Sequence, residues 1–190
     1  MVEERSRRIV ETAVELAEKG GFEAVRLRDV AAHAGVALGT LYRRFRSKED
    51  LLLAALDQEV VDVQARFERR PADGDTPLAR VTSFFQITTR NLCRRPNLAR
   101  ALIRAIATGE PELTQRVAAF HAQMRVLVIS ALRGSAAGAG ELSEREERIA
   151  DVLQRVWFAA LIGWNNGLHA QAGIVEQTRI AAELLLRDAD

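Results

Sequence analysis

The chain has 190 residues, 48% of them hydrophobic and 28% charged, which are the proportions of a globular protein rather than a disordered or fibrous one. A chain of this length buries about 70% of its unfolded surface. Lysine and arginine number 27 against 26 acidic residues, a net charge of +1, which excludes a uniformly basic nucleic-acid coat protein. The charge is nevertheless uneven, because residues 26–48 hold six basic side chains against Asp29 alone. A near-neutral protein thus carries one short basic patch near its N-terminus. The single cysteine, Cys93, has no partner for an intramolecular disulfide and none at metal-ligand spacing, so a reducing, cytoplasmic setting is expected. The N-terminus lacks the apolar core of a signal peptide, and nowhere do eighteen apolar residues run together. Neither export nor a membrane partner is expected.

Helical spacing recurs along almost the whole chain, and strand-like alternation does not. The expected fold is all-α, with about nine helices. The first helix is predicted from Glu4 to Lys19, stopped by Gly20 and Gly21. A short second helix follows over Leu27 to Ala34, ended by Gly35, and a third over Leu38 to Phe45. Ser47 is a predicted cap for the fourth, which the stripe Leu52, Ala55, Leu56, Val60, Val63 and Phe67 extends over some twenty residues. A loop over residues 71–76 ends in Thr76 as N-cap and Pro77 at the first helical position. Further helices are predicted at about 77–94, 97–108 and 112–132. The glycine-rich run 134–140 reads as a flexible connection, lacking the Lys-Ser/Thr of a phosphate-binding loop. Ser143 to Glu146 is a predicted capping box, opening a helix that is apolar on its core stripe and again at Phe158, Ala159 and Ile162. The last helix, about Ile174 to Arg187, is also broader in its apolar face than one core requires.

Residues 27–45 are two short helices joined by a glycine turn inside the basic patch, the pattern of a helix-turn-helix. On a wheel at about 100° per residue with Leu41 at zero, Phe45 falls near 40° and Leu38 near 60°, whereas Gly39 at about 160° and Arg43 at about 200° point the opposite way. Gly39 would let the backbone approach DNA, and Arg43 would reach guanine acceptors or a phosphate. Thr40 and Tyr42, on the flanks, would meet phosphates, as would Lys48 and, at the start of the supporting helix, Arg26 and Arg28. On this geometry alone, DNA binding and a merely solvated helix pair both stand. Leu38 reads as a half-buried packing residue, and Arg44 is placed to pair with either a carboxylate or DNA.

The stretch from Gly20 to Leu52 resembles the DNA-binding domain of TetR-family transcriptional regulators. The likeness lies in the Gly-Gly-Phe opening, Gly35-Val36, the run Gly39-Thr40-Leu41-Tyr42 to Phe45, and Ser47-Lys48-Glu49. Arg26 stands where many members have Thr or Ser, and Ala37-Leu38 where many have a polar pair. Residues 152–164 with the terminal Ala-Ala-Glu-Leu-Leu-Leu are similar to the KstR-like, steroid-catabolism repressor branch. The resemblance implies residues 1–50 as DNA-binding domain and 51–190 as effector-binding and dimerisation domain. It implies a homodimer on double-stranded operator DNA at the nucleoid, a repressor released by a small apolar effector or, as the alternative, an activator, with no cofactor.

The second part holds both tryptophans and most phenylalanines, so a small hydrophobic ligand is expected, a steroid or an acyl-CoA derivative among the candidates. Phe67, Phe84, Phe85, Ile106, Phe120, Met124, Trp157, Phe158 and Leu161 are candidate cavity residues, each also readable as core. Phe158, Ile162, Leu184 and Leu185 are candidates for the dimer interface. Ligand binding would shift the long fourth helix and so alter the spacing of two DNA-reading units, which must match half-sites about 34 Å apart. An enzyme and a helical adaptor are the rival classes. Against the first, His33, His121 and His169 have no metal spacing and no nucleophile has a base in a recognisable motif.

Overall fold

In the computed structural model, residues 2–134 and 143–187 are described, and among them the chain forms nine α-helices and one 3-10 turn without strands. The helices are α1 Val2–Ala24, α2 Leu27–His33, α3 Leu38–Tyr42, α4 Lys48–Arg69, α5 Pro77–Cys93, α6 Pro96–Ala107, α7 Thr114–Arg133, α8 Glu144–Asn165 and α9 Gln171–Leu186. Most of the predicted run 134–140 lies outside the described residues. No described helix is long and apolar enough to cross a membrane.

The local signals act where their chemistry places them. Gly20 and Gly21 leave the helical conformation, Gly21 at φ 69°, and break α1 where predicted, although helical turns resume to Ala24. Ser47 Oγ accepts from the Asp50 amide at 3.1 Å and Thr76 Oγ1 from Ala79 at 3.1 Å. Further bounds differ from those the sequence predicts. α3 ends at Tyr42, although Phe45 N–H still donates to Leu41 O at 2.9 Å. A 3-10 turn, Pro111–Leu113, precedes α7. α9 starts at Gln171, three residues before Ile174.

The chain divides into two units, residues 1–59 with 94–117, and 60–93 with 118–190. Helices α4 and α7 each contribute residues to both. In the first unit, α1 packs along α6, and the buried Ala13 and Ala17 of one and Ala101 and Ala105 of the other let the two backbones approach closely. Ile9, Phe22, Val30, Leu41, Leu52 and Leu102 fill the remaining core. Arg95, at the start of α6, reaches Glu18 of α1 at 3.1 Å and Glu59 of α4 at 2.5 Å.

The second unit is built on a row of rings. Phe67 lies 4.8 Å from Phe84, Phe84 5.1 Å from Phe85, and Phe85 5.7 Å from Trp157, by ring centroids. Trp157 Nε1 donates to Thr89 Oγ1 at 2.8 Å, so the buried indole keeps its hydrogen bond. The predicted capping box at Ser143 is complete, and Arg133 adds a two-pronged hydrogen bond to the Glu146 carboxylate at 2.7 and 2.6 Å. These contacts hold the Glu146 pKa down to about 2 from 4.5, with Arg133 the largest cause. Because the folded pKa is the depressed one, the stabilisation is full above about pH 4.5 and is lost as the pH falls towards 2. Thermal unfolding followed from pH 6 to 2 should therefore lose less stability in Glu146→Gln than in the parent protein.

Candidate nucleic-acid interface and ligand cavities

The geometry of α2 and α3 follows from their ends. Gly35, at φ 64°, takes the left-handed position after α2. There Gly35 N–H donates to Ala32 O at 3.3 Å and Val36 N–H to Ala31 O at 3.0 Å, the paired bonds of a Schellman stop. This turn sends the chain into α3, where Leu41 is fully buried as anchor and Leu38 half-buried. Gly39, Tyr42 and Arg43 are exposed, Thr40 half-buried. A side chain at Gly39 would meet nothing within 4 Å. Arg43 Nη2 donates to Thr40 Oγ1 at 3.1 Å, which holds the guanidinium on the outer face. The structure thus brings Gly39, Thr40 and Tyr42 onto one short helix with Arg43 at its C-cap, turned away from the anchor.

The supporting cations are placed less simply. Arg26 and Arg28 are exposed, and the Arg26 side chain makes no cap bond to α2. Lys48 is half-buried, 3.2 Å from Glu23 and 3.9 Å above the Phe22 ring. Glu23 also meets Arg104 at 2.8 Å, and Lys48 first, then Arg104, holds its carboxyl below the usual carboxylate range. Lys48 therefore does not stand as an isolated cation, since one carboxylate serves two positive groups. Arg44 is exposed and reaches α1, its Nε donating to Ser6 Oγ at 2.7 Å.

A second network escaped the sequence reading. Asp50, buried in the first turn of α4, accepts from Arg46 N–H at 3.0 Å and from Arg116 of α7, whose other Nη reaches Asp57 at 3.1 Å. Burial, outweighing Arg116, raises the Asp57 pKa. No sequence signal joins residues 66 apart; only the fold does.

In the second unit, a cavity of about 200 Å³ is lined by Phe67 and Phe84 together with Gln64, Gln123, Leu127 and Ala131, among others. Phe85 and Trp157 belong to the ring row, and Phe120, Met124 and Leu161 are buried. Ile106 lies on α6 in the first unit and does not line this cavity. Phe158 and Ile162 line a different cleft, between α7 and α8. Leu184 is 62% exposed on α9, alongside the exposed Ile180, and Leu185 shares a shallow groove with Val152 of α8. Cys93 is buried, and burial pushes its thiol up to about 11, so it is not a thiolate nucleophile at neutral pH. Among the described residues no cluster of His, Cys, Asp and Glu could hold a metal ion.

Comparison with known proteins bears on both units. The family model described as bacterial regulatory proteins, tetR family, matches residues 9–55, and the tetracyclin repressor-like C-terminal domain matches 74–185. The chain is 34% identical to the HTH-type transcriptional repressor KstR of Mycobacterium tuberculosis over 98% of its own length and 83% of that protein's. It is 34% identical to KstR of Rhodococcus jostii over 97% and 84%. A TetR transcriptional regulator from a Rhodococcus species superposes with a TM-score of 0.83 at 28% identity, covering 99% of this chain and 98% of that one. The fold is also that of Thermus thermophilus FadR, solved with lauroyl-CoA, at a TM-score of 0.73, 22% identity and coverage of 95% and 93%.

Proposed function

Because the chain belongs to the TetR family of bacterial regulatory proteins, we propose that it is a dimeric cytoplasmic repressor that leaves its operator when a small apolar effector binds. The observation that carries the DNA-reading half is the outward set of exposed Gly39 and Tyr42 and half-buried Thr40 on α3 with exposed Arg43 at its C-cap, opposite the fully buried Leu41. Arg43 reads a base edge in the major groove, while Thr40, Tyr42, Arg26, Arg28 and Lys48 meet phosphates. DNA binding is proposed for residues 1–50, and effector binding and dimerisation for 51–190. The relatives named as KstR repressors support repression.

The effector is proposed to be a steroid or an acyl-CoA derivative whose apolar part lies against Phe67 and Phe84, which line a cavity of apolar character. The second copy is proposed to dock on α8 and α9, where Val152, Ile180 and Leu184 leave apolar surface exposed and Leu185 borders the groove. Helix α4 begins with Lys48 and ends beside the cavity with Phe67 and Glu68, so an effector that favours one setting of α4 changes operator affinity. A coupling of about 1–3 kcal/mol corresponds to roughly 5- to 150-fold weaker DNA binding.

The test is a gel shift over a salt series with a randomised-site library. A selected palindromic site bound at least a thousandfold more tightly than random DNA is the expected result, and no preference at any salt overturns the reading. Lys48→Ala should weaken selected and random DNA by similar factors and reduce the slope of log affinity against log salt by about one. Because Lys48 already pairs with Glu23, Glu23→Gln should shift affinity the opposite way in the same assay.

A further inference from the structure

The cleft between α7 and α8 has a volume of about 460 Å³, within the range of sites for small organic molecules. Arg125 of α7 faces Asp151 of α8 at 3.5 Å, while His121 meets Phe158 with ring centroids 6.1 Å apart. The two helices therefore run antiparallel along the cleft, and its lining sorts by polarity. Arg125, Asp151 and Arg155 form one end, His121 and Gln154 the middle, and Phe158, Ile162 and Ala118 the other end. From Asp151 to Ile162 the helix rises roughly 16 Å.

Two features of this lining call for a ligand. Asp151 lies 3.5 Å from Arg125 and 4.0 Å from Arg155, so one carboxylate serves two guanidinium groups and the polar end keeps a positive charge in excess. Gln154 is 5% exposed, and its amide nitrogen donates to Asp151 Oδ1 at 3.3 Å, while its buried carbonyl Oε1, beside the His121 ring, makes no hydrogen bond of good geometry. A buried carbonyl left unpaired costs free energy that a ligand N–H or O–H would recover. Burial and then Arg155 lower the His121 pKa, with Asp151 and Gln154 acting the other way. Burial thus favours the neutral ring, a flat wall between the charged and apolar ends.

We propose that this cleft binds an amphipathic organic anion bearing a hydroxyl close to its anionic group. The anion lies between Arg125 and Arg155, the hydroxyl donates to Gln154 Oε1, and the apolar tail runs along Phe158 and Ile162. Phe67 and Phe84 line a separate cavity, and occupancy of the cleft does not depend on DNA binding.

Calorimetric titration of the full-length protein without DNA tests this, using 3-hydroxydecanoate, decanoate and 1-decanol at neutral pH. The hydroxy acid should bind most tightly, decanoate about tenfold more weakly for want of one hydrogen bond, and decanol more weakly again. Arg155→Gln should weaken both acids about tenfold and leave decanol unchanged. The Arg155 side chain is 73% exposed, so that variant keeps its fold. Gln154→Leu should bring the two acids to equal affinity, provided that circular dichroism shows the parent helicity; if it does not, the Arg155 variant decides. Equal binding of all three probes, no binding by any, or no effect of Arg155→Gln would overturn the proposal. So would ligand density at Phe67 and Phe84 instead of the cleft in a crystal of the complex. A chain that failed every gel shift would leave these titrations unchanged, so the regulatory reading and this one fail separately.

Discussion

Replacing Leu41 with alanine should destabilise the first unit by about 2–5 kcal/mol, the range for truncating a buried leucine, and with it abolish operator binding. Leu41 is 0% exposed, and α3 has only five residues. A helix of one and a half turns does not persist through its own hydrogen bonds, because nucleation is costly and propagation brief. It stays folded by burying Leu41 and Phe45 while Leu38 covers the flank. Since a whole domain is stable by about 5–15 kcal/mol, loss of the anchor removes a large share of what holds α3.

The chain carries the probes for this experiment. Its one tyrosine, Tyr42, sits on α3, and both tryptophans, Trp157 and Trp164, sit in the second unit. In Leu41→Ala the urea midpoint followed by amide exchange across residues 27–45 should fall, while the Trp157 transition moves little. An unchanged exchange pattern over α2 and α3 would show that Leu41 does not hold the helix. Coincident movement of both signals would mean that the two units unfold as one.

What was legible in the sequence was the direction of burial, and what was hidden was the partner. The wheel centred on Leu41 separated Leu41 and Phe45 from Gly39 and Arg43, and burial follows that division. Gly35, Ser47, Thr76 and Ser143 act as stops and caps because each needs only neighbours within five residues. Periodicity says nothing about what a face packs on. It gave α6 no address, so Ile106 was grouped with cavity residues although α6 packs along α1 in the first unit. The pairing of Lys48 with Glu23 and Phe22 is not legible in the sequence, because those residues lie a helix-turn-helix away from it. Phe158 and Ile162 were recognised as an apolar face outside the core stripe of α8, but not as the wall of a cleft shared with His121 and Arg125 of α7.

The second large effect concerns DNA rather than stability. Arg43 is exposed, and its guanidinium hydrogen-bonds the nearby Thr40 hydroxyl, so Arg43→Ala should change folding stability by no more than about 0.5 kcal/mol. Its operator affinity should nevertheless fall by about 1–3 kcal/mol, the range for losing a bidentate arginine contact to guanine. The loss should be concentrated on the selected site, so that the preference over random DNA narrows, in contrast to the even loss expected for Lys48→Ala. Gly39 supplies the internal control. It lies one helical turn before Arg43 on the same outer face, and a Cβ there meets nothing within 4 Å. Gly39→Ala should therefore gain up to about 1 kcal/mol of helix stability and still bind the operator more weakly, because the added group holds the backbone off the groove. A protein that becomes more stable and reads DNA less well at once has lost an interface and not a fold. If Arg43→Ala lowered affinity for selected and random DNA by the same factor, the guanidinium would be a phosphate contact and base reading would have to come from elsewhere on α3.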